Sequence, residues 1–152
     1  MDNIIKYEKS CGAVIFHKFE TEYKVLLIGF IHGGELRWGF PKGHMENNET
    51  EIETAMREIN EEVGIDVKII PGFRETTNFS CKTNTVIEAI YYCAKADSTE
   101  ASPQDEEVEK TAWLNFEQAH KYLTYECDKK VFSKFIEFFN TYNQEKEKIN
   151  EP

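Results

Sequence analysis

The stretch from Gly43 to Ile65 constrains the chain more than any other. Between Glu46 and Glu62 it holds seven glutamates against one arginine, a local charge of −6. Ile52, Ala55, Met56, Ile59 and Val63 recur at spacings of three and four, the stripe of an amphipathic helix that docks on a core. Glu58, Glu61 and Glu62 stand at i, i+3 and i+4, on one face at the rim of that stripe. Like charges at this spacing cost about 0.2–0.5 kcal/mol per pair. Glu61 and Glu62 also fall near the helix C-terminus, where the macrodipole disfavours anions. A merely solvated face explains the charge but not its concentration beside the docked stripe. A hard divalent cation does, because Mg²⁺ takes carboxylate oxygens together with those of a bound phosphate. The preceding segment, Trp38 to His44, mixes small, rigid and basic residues, and Gly39 and Gly43 allow the backbone to bend and approach a ligand closely.

The 152 residues fit a single domain, and 40% apolar with 13% aromatic content supplies a real core. No apolar run approaches the roughly 20 residues of a membrane span. The N-terminus lacks the basic head and apolar stretch of a secretory signal. A net charge of −10 argues against long nucleic acid as a partner, since backbone binding needs a basic surface. It does not exclude a small polyphosphate, because a metal brings its own charge. Cys11, Cys81, Cys93 and Cys127 form no CxxC pair, so reduced thiols in a cytoplasmic protein are expected, with Cys11 and Cys93 as small core fillers.

The periodicities predict strands over 10–19 and 25–30, turns at 20–22 and 32–35, and a short strand over 37–40. A helix follows with Asn48 as N-cap, Glu51 three residues on, and Gly64 as the terminating C′ residue. Strands are expected over 65–70, 73–79, 84–95 and 108–114, and short helical turns over 117–122. A terminal helix over 128–140 should face Val131, Phe132, Phe135, Ile136 and Phe139 inward, with a charged, frayed tail from residue 141 onward. Mixed strands with a central and a terminal helix suit an α/β/α sandwich around a mixed β-sheet, one domain over residues 1–140.

The motif residues resemble the Nudix box: Gly43, Glu49, Arg57, Glu58, Ile59, Glu61, Glu62, Gly64 and Ile65 fit all nine of its constrained positions. Trp38 to His44, with its Pro-Lys-Gly-His sequence, resembles the asymmetrical diadenosine tetraphosphate hydrolase branch. Weaker matches to the same branch are Gly72 to Glu75, Glu107 to Leu114 and Leu123 to Phe139. The resemblance implies the α/β/α sandwich and a pyrophosphohydrolase that splits a phosphoanhydride by in-line attack of metal-activated water, with Mg²⁺ as cofactor and Mn²⁺ as substitute. It makes Glu58, Glu61 and Glu62 the metal-binding face, completed by the backbone at Gly43 and by Glu107, aligned on Trp113. Glu58 is the nominated base and Arg57 holds a box glutamate. Lys42, His44, Phe79, Lys82 and Tyr122 are the implied substrate contacts. The implied substrate is a small nucleoside polyphosphate, foremost diadenosine tetraphosphate giving ATP and AMP, acted on by a monomer or weak dimer. A nucleoside triphosphate pyrophosphatase, an RNA 5′-pyrophosphohydrolase and a non-catalytic nucleotide sensor are the competing readings.

Overall fold

A computed structural model describes residues 4–80 and 84–150. Seven strands form one mixed sheet, with the order β3-β2-β1-β6-β5 along its spine. They are β1 (Lys6–Phe19), β2 (Glu22–His32), β3 (Glu35–Gly39), β4 (Lys42–His44), β5 (Val67–Ser80), β6 (Thr85–Ala96) and β7 (Val108–Asn115). The helices are α1 (Glu51–Glu62), α2 (Phe116–Tyr122) and α3 (Glu126–Asn150). β1 is central, parallel to β6 and antiparallel to β2. β4 pairs with β1, and β7 with β2.

The period-2 alternation of β1 divides the core. Ala13 and Ile15 point into a layer with Leu26, Ile28, Ile59 and Val63, under α1. Val14 and Phe16 point to the other side, into a layer with Phe40, Phe73, Tyr91, Phe132, Phe135 and Phe139, under α2 and α3. The expected sandwich is thus observed. Cys11 and Cys93 are fully buried within it.

Several boundaries differ from expectation. Residues 67–80 are one strand, not two, with a bulge between Ile70 and Arg74 and Gly72 at φ 105°. α1 is capped by Thr50, not Asn48: the Thr50 side chain accepts from the Glu53 N–H, and Glu53 bonds back to the Thr50 N–H. Asn48 sits at φ 73°, whereas an N-cap needs the extended backbone that Thr50 adopts. Within α1, Ala55, Ile59 and Val63 are buried as expected, but Ile52 and Met56 are exposed and Thr54 and Glu62 are buried instead. The docked face is therefore rotated toward the glutamates. The expected frayed tail is helical as far as Asn150; Tyr142 continues the aromatic stripe and packs on Phe16 and Phe138.

Candidate active site

Register places the site. Ser10, Cys11 and Gly12 of β1 lie opposite His44, Gly43 and Lys42 of β4. A side chain at Gly12 would strike the Pro41 carbonyl and Lys42, so this glycine lets the 41–44 segment lie close across the sheet. A Cβ at Gly43 would likewise collide with the Glu58 carboxylate, so α1 presses its acidic face directly on that backbone.

Arg57 organises the carboxylates. Its Nε and Nη2 donate to the two oxygens of Glu49 at 2.7 and 3.0 Å, a bidentate pair. Nη2 also donates to the His44 carbonyl at 2.8 Å, and Nη1 to Glu58 Oε1 at 2.8 Å and Glu61 Oε2 at 3.4 Å. One guanidinium thus ties the loop before α1 to two glutamates of its last turns. The hydrogen bonds from Arg57 and from the Glu46 N–H hold Glu49 down at about 2.

Glu58 and Glu62 feel the opposite pressure. Glu62 is only 8% exposed. Burial, then the charge of Glu58, pushes its carboxyl up to about 8, although the Lys42 N–H donates to Glu62 Oε1 at 2.7 Å. Burial also raises Glu58, against the pull of Arg57. Asp105 adds its negative charge to both.

Asp105 arrives by backbone contacts. The loop after β6 covers the C-terminal end of α1: Ser102 N–H donates to the Val63 carbonyl at 2.7 Å, and the Gln104 and Asp105 N–H groups to the Glu61 carbonyl at 2.9 and 3.0 Å. Carbonyls that a helix end leaves unpaired are satisfied this way. Gly64, at φ 65°, lies against the Ser102 carbonyl, where a Cβ would clash.

Among the described residues, no three Asp, Glu, His or Cys side chains are grouped closely enough to hold an ion, and Glu58 Oε1 accepts from Arg57. The donor set nevertheless fits a hard divalent cation. It is all oxygen, crowded and partly desolvated; burial first, and repulsion between neighbouring carboxylates second, raise Glu58 and Glu62, and such an ion would offset both. Glu58, Glu62, Glu61 and Asp105 are the side chains that could hold it.

A family model described as NUDIX domain matches residues 8–135. The chain belongs to the Nudix family. Over 86% of its length and 94% of the relative's, it is 30% identical to a Sus scrofa protein called bis(5′-nucleosyl)-tetraphosphatase [asymmetrical]. A Mus musculus protein of the same name is 32% identical over 73% of this chain and 81% of its own. Among solved structures, a C. elegans Ap4A hydrolase binary complex aligns with a TM-score of 0.80 at 26% identity, covering 88% of this chain and 98% of that one. Nudix hydrolases generally use divalent metal ions and act on small nucleotide substrates.

The structure brings most of the expected Nudix site residues together. Arg57 gathers Glu58 and Glu61, Glu58 lies against Gly43, and Glu62 accepts from the adjoining Lys42 N–H. Lys42 Nζ lies 5.0 Å above the Phe79 ring, a cation–π contact between two expected substrate contacts. His44 is exposed, with Nδ1 3.5 Å from Glu8. Tyr122 is half exposed, its ring 5.8 Å from that of Trp38. Lys82 lies outside the described residues. Glu107, the expected downstream carboxylate, is exposed and donates its N–H to Asp105 Oδ1 at 2.9 Å; Asp105 is the one whose charge reaches Glu58 and Glu62. The register of this loop is set by the α1 carbonyl that accepts from Gln104 and Asp105. Asp128 was also missed. It is 6% exposed, accepts from the Tyr91 hydroxyl at 3.2 Å, and is raised by burial against the opposing charge of Lys42. The signal was present: Asp128 stands one turn before Val131 and Phe132, in register with the apolar stripe of α3.

Proposed function

We propose that this Nudix hydrolase cleaves diadenosine tetraphosphate to ATP and AMP, with Mg²⁺ as its physiological ion. The observation that carries this reading is the desolvated Glu58–Glu62 pair pressed against Gly43, with Lys42 and Phe79 at its edge. The end-to-end similarity to relatives named for tetraphosphate hydrolysis supports that substrate over a triphosphate.

In this reading Glu58, Glu61 and Glu62 hold the ion, joined by Asp105, whose position supports it over Glu107 as the downstream carboxylate. Bound divalent ions would neutralise polyphosphate charge and acidify a water. The chain does the rest. Arg57 fixes the orientation of Glu58, which serves as the base that takes the proton of the attacking water. The Lys42 N–H restrains Glu62. The ammonium of Lys42 and the ring of Phe79 bind phosphate and base at the near end of the substrate, with His44 and Tyr122 as further contacts. Positioning and charge neutralisation suffice, because phosphoryl transfer to water needs no covalent nucleophile.

The test is a substrate panel in Mg²⁺: diadenosine tri-, tetra- and pentaphosphate, the nucleoside triphosphates, and 5′-triphosphorylated RNA. Chromatography of the products should show ATP and AMP from the tetraphosphate at the highest kcat/KM. Preferred turnover of a triphosphate or of RNA overturns the reading.

A further inference from the structure

Beside the carboxylate site lies a second feature, which shares His44 and Glu49 with the site already described. A groove of about 700 Å³ opens between the start of β1 and the loop from His44 to Glu49. It is open to solvent and lined mostly by polar residues. It begins at the residue after Gly43, and one wall is tied to the site itself, because Arg57 donates to the His44 carbonyl at 2.8 Å. The Met45 N–H donates to the Lys9 carbonyl at 2.9 Å, so this wall and the β1 wall form one rigid unit. On the β1 side the Tyr7 ring is 77% exposed. Such a ring is free to take a flat partner.

The charges of the groove select what enters. Glu8, Glu46 and Glu49 line it against Lys9 and His44. Lys9 is engaged by Glu51 at 3.2 Å and Glu88 at 3.9 Å. Glu49 is paired with Arg57, and Glu46 lies 3.8 Å from the same guanidinium, so the groove's charges are answered by partners and it offers phosphate no concentrated positive charge. An uncharged aromatic head needs none. At the far end, Asn48 is held at φ 73° in a turn closed by the Glu49 N–H donating to the Glu46 carbonyl at 3.2 Å and the Glu46 N–H to Glu49 Oε1 at 2.9 Å. Asn47 and Asn48 both line the groove and are exposed, and an amide offers donors and an acceptor to a base edge.

We propose that this groove receives the second nucleoside of a dinucleoside polyphosphate. Its base stacks on Tyr7 beside Met45, with the asparagine amides at its polar edge, while the phosphates stay over the carboxylates at Gly43. This rests on the reading of the chain as a dinucleoside polyphosphate hydrolase. It explains how an acidic protein would prefer a substrate with two nucleosides over one ending in a bare phosphate.

The test compares diadenosine tetraphosphate with adenosine tetraphosphate, which has the same phosphate chain and no second nucleoside. Tyr7→Ala should raise KM for the dinucleotide about tenfold, the scale of one lost base stack, with kcat little changed. KM for adenosine tetraphosphate should stay within twofold, so the ratio of the two KM values shifts. Tyr7→Phe keeps the ring and should restore the wild-type ratio. Tyr7 is so exposed that neither variant threatens folding. Equal effects on both substrates, or none on either, overturn the groove assignment while leaving the tetraphosphatase reading intact. Wild-type protein that ignores diadenosine tetraphosphate overturns the proposed function, and the groove assignment falls with it.

Discussion

Replacing Glu62 with glutamine separates stability from catalysis. Glu62 is buried, and its carboxyl lies at about 8 against an ordinary 4.5. That difference corresponds to about 4–5 kcal/mol against ionising the group in place, at 1.36 kcal/mol per pKa unit. A carboxyl raised on folding stabilises fully below its unfolded pKa, and that stability is lost as pH rises through the folded one. For metal-free protein the loss therefore runs from about pH 4.5 to about pH 8 and already amounts to about 3 kcal/mol at pH 7. Glutamine is nearly isosteric, can still accept from the Lys42 N–H, and carries no charge to desolvate. Glu62→Gln should therefore match wild type near pH 5 in EDTA and exceed it at pH 8.5. For a chain of this length, the roughly 4–5 kcal/mol reached at pH 8.5 shifts Tm by about 10–15 °C. Excess Mg²⁺ should raise the wild-type Tm and close the gap, because an ion bound only by the folded state stabilises it. The same variant should lose at least a hundredfold in kcat. Calorimetry across pH 5–9, with and without EDTA, measures all of this. A gap that does not vary with pH, or a variant less stable than wild type at pH 8.5 without metal, refutes the reasoning.

Three further outcomes follow from the same geometry. Gly43→Ala drives a methyl into the Glu58 carboxylate, the mobile end of a side chain, so Tm should fall by only a few degrees while kcat drops more than tenfold. Arg57→Lys keeps the charge but loses the fork that grips Glu49 and Glu58 together, so steady-state kinetics should show kcat down at least tenfold with KM little changed. Asp105→Asn should raise several-fold the Mg²⁺ concentration needed for half-maximal activity. Glu107→Gln should leave it within about twofold, as an activity titration against Mg²⁺ can show.

Much of the site was legible because its parts are close in sequence. Arg57, Glu58, Glu61 and Glu62 share one helix, and helical spacing alone puts them within reach of one another. Gly64 as terminator and the 33–34 turn were legible for a related reason: both need positive φ, which glycine adopts freely. The misreadings have a different origin. Asn48 and Thr50 are both good capping residues, and only the φ that the preceding turn forces on Asn48 decides between them. Ile52 and Met56 fit the apolar stripe, yet the sheet accepts the face that carries Glu62.

What the sequence determined by itself, then, is the acidic helix with its glycine boundaries, the alternating strands and the aromatic stripe of the terminal helix, because each follows from backbone periodicity and side-chain shape over a few residues. Tertiary structure decided which carboxylates become difficult to ionise and which downstream carboxylate lies near enough for its charge to reach them. Desolvation of Glu62 depends on strands and loops distant in the chain closing over it, and Asp105 approaches only because α1 has carbonyls that the 97–107 loop must satisfy. Burial and long-range hydrogen bonding are properties of the assembled layers, and no local spacing encodes them.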